Sequence, residues 1–564
     1  MLMDDFLKFR NSCLDYLHLE KALIEKDIAD HEAMSESERE SLGLLIRNAR
    51  LVCRDSRSAV FSADVNNTKL RAGDEITLFS VDHAKCLGKY TVDVNAVEEL
   101  AIAIGPDEEI PDIVNVEVNE FQGLDVIIKL LGDMRPGSPG VAYVEYLSGV
   151  KRPALAGLGA ITEIEEGEIP ESFNEAQVKA VKMMACRPKL AYVQGTPGSG
   201  KTHLLAIAAK IFAMRGQDVA IVALTHQAVN NALNKAVSVM PHANIVKIGK
   251  VFKNEGLSQS VERHESFSEY VESRKRSGRF IGQYGHIVGM SFLSAIANLG
   301  LRKSAFMPQV LLFDEAGQMP LTHASVLGAF KCGSIVLIGD DRQMPPIYHK
   351  DIDRDALSRS VFEVVKGLYP DNGIVLDVTY RMNSEITRIV GDRYYSPYGV
   401  SLSSDAHSVG NVLSSKDLPW RSENESSFEC YKCDCPGAAD ENSVEADKVV
   451  DIVSEYLSKG LAAHRMAVIT PYRRQVRLIH AKLKVKFGEQ ELPMVDTVER
   501  LQGQDVELII ASFAASDPLF FASQKSFLMN ENRLNVMFSR ATSKIIVVAG
   551  SLILDELGFQ RMEF

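Results

Sequence analysis

The chain of 564 residues is long enough for several domains of ~150 residues each. Its 46% hydrophobic and 24% charged residues are ordinary for a globular protein, and a net charge of -13 with a pI near 5.6 excludes a general basic coat, leaving room only for a local basic groove. The start, Met1 to Phe6, lacks a signal-peptide layout, no apolar run approaches the ~20 residues of a membrane span, and 8 cysteines fit a reducing compartment, so a cytoplasmic protein without a membrane segment is expected.

Residues 1–48 read as a helical stalk. Leu14, Leu17, Leu19, Ala22, Leu23 and Ile24 recur near helical spacing, and Ser35 followed by acidic residues marks a second helix start. Residues 49–118 read as a small β-barrel, with β-like segments beginning at Ala49, Ser58, Glu75 and Gly88 between polar turns. The acidic stretch from Glu98 to Asp112, broken by Pro106 and Pro111, reads as surface loop and edge. Residues 119–169 read as a returning helix and a linker.

From residue 170 to 350 strands and helices alternate, which predicts a parallel sheet covered by helices. The strand-like runs are Leu190–Val193, Val219–Ala223, Ile245–Ile248, Ile287–Met290, Val310–Phe313 and Ile335–Ile338. A charged helical insert over about 251–285 carries the basic run Arg274 to Arg279, which reads equally as a solvated face or as a phosphate contact. Residues 351–564 read as a second α/β domain, with strands at Gly373–Asp377, Ala467–Thr470, Val506–Ser512 and Lys544–Gly550. The chain ends at Phe564, soon after the last strand, so no further domain is expected.

The strongest motif is Gly195-Thr-Pro-Gly-Ser-Gly-Lys-Thr202, set between an apolar strand and an apolar helix. It meets G-x-x-x-x-G-K-[ST]. Gly195, Thr196, Pro197, Gly198, Ser199 and Gly200 can curl so that successive N–H groups face one anion, and the helix behind adds its positive dipole end. Lys201 can reach the β- and γ-phosphates of a nucleoside triphosphate, and Thr202 can ligate Mg²⁺. Val310 to Phe313 is an apolar strand ending in Asp314 and Glu315. Asp314 suits a second Mg²⁺ contact and Glu315 the orientation or deprotonation of water. A further strand ends at Gln343, ahead of Pro345-Pro346, where a glutamine can bond both a γ-phosphate and the attacking water. Cys430, Cys433 and Cys435 with His407 suggest a zinc set, but the same run fits a strand entering Pro436-Gly437. Trp420 reads as packing ahead of base stacking.

In this order the motifs resemble a superfamily 1 helicase, nearest the branch of the nonsense-mediated-decay RNA helicase, the immunoglobulin-mu-binding helicase and the replicative nuclease-helicase. The resemblance covers about Phe173 to Gly550. It implies an α/β fold with two RecA-like parallel-sheet motor domains, an N-terminal helical stalk and a small β-barrel insert. Asn174-Glu-Ala-Gln177 resembles the family's glutamine motif, which implies that Gln177 reads adenine. The run from Ala223 to Asn230 resembles its backbone-contacting loop. Thr379-Tyr-Arg-Met-Asn383 resembles its Tyr-Arg-Met motif, with Tyr380 stacking on adenine and Arg381 reaching the γ-phosphate. Val495 to Asp505 resembles its Gln-Gly motif, which implies a ribose contact at Asp505, and Asn532 to Ala541 resembles its last motif, which makes Arg540 a second arginine finger. Asn383 and Ser384 stand where many relatives have His-Pro, and Ser199 replaces a common threonine.

The resemblance implies an ATPase that uses ATP and Mg²⁺ to move 5′→3′ on single-stranded nucleic acid. The forms of the Tyr-Arg-Met and Gln-Gly motifs favour DNA over RNA. The alternatives are an RNA helicase of the same branch, or an ATP-gated clamp or scaffold that does not unwind. No nuclease motif is visible, so a protein partner such as a nuclease is an open expectation.

Overall fold

The computed structural model describes residues 2–558 apart from 56–57, 69, 71–74, 84, 96–98, 106–107, 119–122, 138–139, 158–159, 162, 242–243, 250–255, 278–283, 300–307, 354, 412, 414–425, 489 and 502–503. Trp420, Gln502, Gly503, Gly278 and Arg279 therefore lie outside the described residues. The chain divides into two compact units. The first is Met1–Gln194, Lys201–Asp341 and Pro345–Ile374; the second is Gly195–Gly200, Arg342–Met344 and Val375–Phe564.

The first unit begins with helix α1 (Leu2–Glu32), whose buried stripe is Phe6, Cys13, Tyr16 and Leu17; Leu19, expected on that stripe, is 50% exposed. Helix α2 (Glu36–Leu42) opens with a capping box between Ser35 and Glu38. It ends at Gly43, whose φ of 75° lets the chain turn at once into a strand. Strand β1 (Leu45–Arg54) thus begins inside the stretch read as stalk. It is joined by β2 (Ser58–Ser62), β3 (Glu75–Phe79), β4 (Cys86–Asn95), β5 (Glu99–Ala103) and β6 (Ile113–Val118) in a closed barrel of order β1-β2-β5-β4-β3-β6. Strand β5 corrects the loop reading of Glu98 to Asp112. Leu100 and Ile102 are fully buried in the barrel core, alternating with outward residues despite the acidic flanks.

Helices α3 (Leu124–Gly132) and α4 (Val141–Leu147) return alongside α1, and their buried residues form one core with those of α1 and of the first sheet. That sheet comprises β7 (Leu190–Gly195), β8 (Val219–Ala223), β9 (Asn244–Ile248), β10 (Glu262–His264), β11 (His286–Ser291), β12 (Val310–Phe313), β13 (Ser334–Gly339) and β14 (Gly373–Leu376), in the order β10-β9-β11-β8-β12-β13-β7-β14. From β10 across to β7 each neighbouring pair is parallel, and β7, β8, β12 and β13 are buried throughout, as strands covered on both faces are. The connecting helices are α5 (Glu175–Ala185), α6 (Lys201–Met214), α7 (His226–Val239), α8 (Phe267–Ser277), α9 (Phe292–Leu299), α10 (Leu321–Ala324) and α11 (Val361–Leu368). The insert is not wholly helical, since β10 extends the sheet ahead of α8. Gly373–Leu376, expected in the second sheet, instead edges the first. The Asn372 amide donates to Leu190 O at 3.2 Å, and a Cβ on Gly373 would meet the Tyr192 ring at 2.2 Å, so glycine admits the close approach.

The second unit holds a five-stranded parallel sheet of order β17-β21-β20-β18-β19, built from β17 (Phe428–Lys432), β18 (Met466–Ile469), β19 (Met494–Asp496), β20 (Val506–Ser512) and β21 (Ala541–Ala549). Two short strands, β15 (Val378–Thr379) and β16 (Ser403–Ser404), pair with each other outside it. Its helices are α12 (Ser384–Tyr394), α13 (Ser443–Ser458), α14 (Arg473–Phe487), α15 (Pro518–Leu528), α16 (Glu531–Phe538) and α17 (Ser551–Leu557). Cys430 falls within β17, which is the strand reading of the cysteine run. No helix among the described residues is long and apolar enough to cross a membrane.

Candidate nucleotide site

Strand β7 delivers its last residues into the glycine turn. Gly198 and Gly200 there have φ of 72° and 80°, the left-handed backbone that a side chain resists. Helix α6 starts at Lys201, so Lys201 and Thr202 occupy its first turn. The turn Gly195–Gly200 falls with the second unit, and residues of that unit hold it. Thr196 donates its hydroxyl to Leu376 O at 2.8 Å, and Tyr380 N–H donates to Gly198 O at 2.9 Å. A Cβ on Gly198 would come 2.6 Å from both Arg381 Cβ and Thr379 Oγ1.

In the first unit β12 leads directly into Asp314, which is 5% exposed and donates its N–H to Val222 O at 2.8 Å. Asp314 Oδ1 accepts the N–H of Glu315 at 3.0 Å. Glu315 adopts φ 57°, a strained conformation for a side-chain-bearing residue, and this turns the chain sharply into a short 3₁₀ segment. The Asp314 carboxyl is pushed above the usual carboxylate range by burial and by the neighbouring Glu315; Lys201 opposes that rise. Such a carboxyl gains from a cation placed next to it. With the Thr202 hydroxyl it offers the oxygen donors that Mg²⁺ takes, so these residues fit the ion.

Sequence reasoning missed the polar cluster on the neighbouring strand ends. Gln194, fully buried at the end of β7, donates its amide to Asp340 Oδ1 at 3.1 Å and to Asp341 Oδ1 at 2.9 Å, and accepts from Lys366 Nζ at 2.9 Å. Lys366, from α11, also pairs with Asp341 at 3.0 Å. Two acidic residues directly after an apolar strand are a visible signal; that β13 lies beside β7 is not. Gln177 is 3% exposed, and its side-chain carbonyl accepts Asn174 N–H at 3.0 Å while Asn174 Oδ1 accepts Gln177 N–H at 2.9 Å. It closes the capping box of α5, a structural duty that Asn-Glu-Ala-Gln also encodes.

In the second unit Tyr380 presents its ring at 38% exposure. Arg381 turns inward, its Nη1 donating to Ser539 O at 3.1 Å with Asp505 Oδ2 lying 3.8 Å from its Nε. Burial lowers the proton affinity of that guanidinium, and Asp505 partly restores it. Arg540 follows α16, is 4% exposed and donates to Gln343 Oε1 at 3.1 Å. Asn383 accounts locally for the departure from His-Pro. Its Oδ1 accepts Ile386 N–H as the N-cap of α12, while its amide lies within 3.0 Å of Ser543 O and within 2.9 Å of Asn411 O and Ser427 Oγ. The nearby Tyr-Arg stretch is thereby anchored to β21.

The fold and these motifs define a P-loop protein with two parallel α/β sheets. AAA domain models match residues 172–365 and 357–551. The chain is 28% identical over 411 residues to the DNA replication ATP-dependent helicase/nuclease dna2 of Schizosaccharomyces pombe, covering 68% of this chain and 28% of that protein. It is 24% identical over 560 residues to the Regulator of nonsense transcripts 1 homolog of Arabidopsis thaliana, covering 88% of this chain and 43% of that one. Among solved structures, an arterivirus nonstructural protein 10 (helicase) aligns with 92% of this chain and 82% of its own, at 12% identity and a TM-score of 0.40. These matches support a superfamily 1 helicase, in the branch that holds these two relatives. It spans less than half the length of each.

Proposed function

We propose that this chain hydrolyses ATP to move 5′→3′ along single-stranded nucleic acid, with DNA favoured over RNA. One observation carries the reading: a glycine turn leads into Lys201 and Thr202, a carboxyl pair with Asp314 buried lies at the end of β12, and two guanidiniums, the partly buried Arg381 and the buried Arg540, lie in the second unit's motifs. In this reading Lys201 neutralises the β- and γ-phosphates and Glu315 orients or deprotonates the attacking water. Thr202 and Asp314 would hold Mg²⁺, which when bound neutralises charge on the phosphate oxygens. Arg381 and Arg540 stabilise charge developing on the transferred phosphoryl group, with Gln343 reporting its state. Tyr380 stacks on adenine, Gln177 reads its edge and Asp505 contacts the ribose. Residues 1–48, 49–118 and 119–169 serve as stalk, barrel and returning linker. The eight free cysteines agree with a reducing, cytoplasmic setting.

The test is the ATPase rate with and without single-stranded DNA or RNA, followed by strand displacement on tailed duplexes. Stimulation with displacement is expected. A rate that neither polymer raises would sink the motor reading, and stimulation without displacement would make the chain a clamp or a non-unwinding translocase. Lys201→Ala and Glu315→Gln should each lower turnover by ~10²–10⁴-fold, with ATP binding kept in the glutamine variant.

A further inference from the structure

We infer that Asn532 and Asn535 are positioning residues that hold the Arg342–Gln343 backbone so that Gln343 stays on Arg540. The inference rests on the ATPase reading above and concerns residues to which that reading gives no role.

Asn532 and Asn535 stand three residues apart on α16 and so share one face of the helix. Asn535 is fully buried. Its amide donates to Arg342 O at 2.6 Å and to the Tyr395 hydroxyl at 2.9 Å. Asn532 donates its amide to Gln343 O. Two successive peptide carbonyls are thus fixed by two side chains of one helix, which sets the orientation of both peptide planes. The segment is pinned elsewhere too. The Arg342 guanidinium lies 3.7 Å from the centre of the Tyr398 ring, and Met344 packs against the second unit's apolar core. With the backbone held, the Gln343 side chain places Oε1 within 3.1 Å of Arg540 Nη2.

A buried asparagine is expensive unless its polar atoms are used, and Asn535 Oδ1 has no hydrogen-bond partner among the described residues. Leucine has similar size and would fill the position at less cost. What leucine lacks is the pair of N–H donors, and these go to Arg342 O and Tyr395. The chemistry of the position is therefore donation to the segment that carries Gln343. Asn535 sits five residues before Arg540 on the same short helix and its exit. One rigid element thus sets the spacing between the guanidinium and the glutamine it contacts.

The test is steady-state ATP hydrolysis by the full chain in saturating single-stranded DNA, for wild type, Asn535→Leu and Asn532→Ala, each also combined with Gln343→Ala. With Gln343 present, each substitution should lower kcat ~10-fold while the KM for ATP stays within about 2-fold. In the Gln343→Ala background neither should lower kcat further, because the group being positioned is gone. A full additional loss in that background would overturn the inference, as would a rise in KM with kcat unchanged. Asn532 is less buried, so its alanine variant reads out the same contact if Asn535→Leu folds poorly. A wild-type chain without Lys201-dependent hydrolysis overturns the ATPase reading and this inference together. Wild-type hydrolysis with unaffected asparagine variants overturns the inference alone.

Discussion

The two units differ in the charged groups they bring to the candidate site. In the first, strand ends carry Asp314, Asp340 and Asp341, and the lysine bonded to Asp341 comes from a helix distant in sequence, as Lys366 of α11. In the second, the ions of the candidate site are guanidiniums, Arg540 buried and Arg381 partly so. Arg381 meets one backbone carbonyl and a carboxylate 3.8 Å away, and Arg540 meets a neutral glutamine. The first unit's strand ends are therefore rich in carboxylates, and the second unit contributes guanidiniums to the candidate site.

The largest effect should come from removing a guanidinium of the second unit. Arg381→Ala is expected to lower kcat ~10³-fold with ATP affinity changed only a few-fold, and Arg381→Lys should recover little, because a lysine cannot present the planar fork. Single-turnover hydrolysis beside equilibrium ATP binding separates the two quantities. Equal loss of both would mean that Arg381 serves ground-state binding, and the contrast between the units would lose its catalytic meaning.

Glu445 sharpens the comparison, since it is a buried acid in the unit that carries the guanidiniums. It is held by dipoles: Ser512 Oγ at 2.8 Å, Ala514 N–H at 2.9 Å and the Asn442 amide at 3.2 Å. Burial pushes its carboxyl up from 4.5 to about 7, with those hydrogen bonds opposing the rise. A folded-state value above the unfolded one means that its stabilising contribution is full below about pH 4.5 and is lost as pH rises through about 7. The shift corresponds to ~3 kcal/mol across that window. Glu445→Gln keeps most of the hydrogen bonds and should flatten the pH dependence. Hydrogen exchange in α13 and β20 at pH 5 and pH 7.5 reads this out, and an unchanged slope in the glutamine variant would assign the effect to another group.

How much of this is legible in the sequence follows from how local each signal is. The glycine turn and the Asp314-Glu315 strand end are contiguous, so spacing alone reveals them. The Gln194, Asp341 and Lys366 cluster is assembled from β7, the end of β13 and α11, and nothing in a linear pattern says that β7 and β13 are neighbours. For the same reason Gly373–Leu376 reads into the wrong sheet: a short apolar strand does not carry the identity of its partner. Strand β5 is hidden because acidic and proline-bearing flanks outweigh its brief alternation. Gln177 shows a different difficulty, in that a capping box and an adenine-reading glutamine call for the same residues at the same spacing.

Gly198 tests whether the turn is tied to the second unit as closely as its backbone bonds indicate. Gly198→Ala adds a strained φ of 72° and places a Cβ 2.6 Å from Arg381 Cβ, and should cost ~1–3 kcal/mol of local stability and weaken ATP binding ~10-fold. Gly399→Ala is the control within the same unit. Its φ is 78° and a Cβ there would meet nothing within 4 Å, so only the backbone cost, ~1 kcal/mol, is expected. Equal losses in the two variants would show that the contact with Arg381 contributes nothing.

The smallest effect belongs to the first unit's stalk, where charge pairs are partly solvated. Helix α1 is tied by the Tyr16 hydroxyl 3.0 Å from Ser358 Oγ, by Glu20 at 3.3 Å from His323 and by Asp27 at 3.0 Å from His349. Burial raises the Asp27 carboxyl, but the His349 hydrogen bond and the Lys350 and His349 charges outweigh it and leave it below its ordinary value. Its contribution is therefore present at neutral pH and is lost as pH falls through that depressed value. Asp27→Asn should remove this acid-side loosening of α1, seen as faster amide exchange in that helix, and change little at pH 7. The buried apolar stripe of Phe6, Cys13 and Leu17 continues to hold the helix. An effect at neutral pH exceeding that of Glu445→Gln would reverse the order argued here and make the stalk pairs, not the apolar stripe, the main attachment of α1.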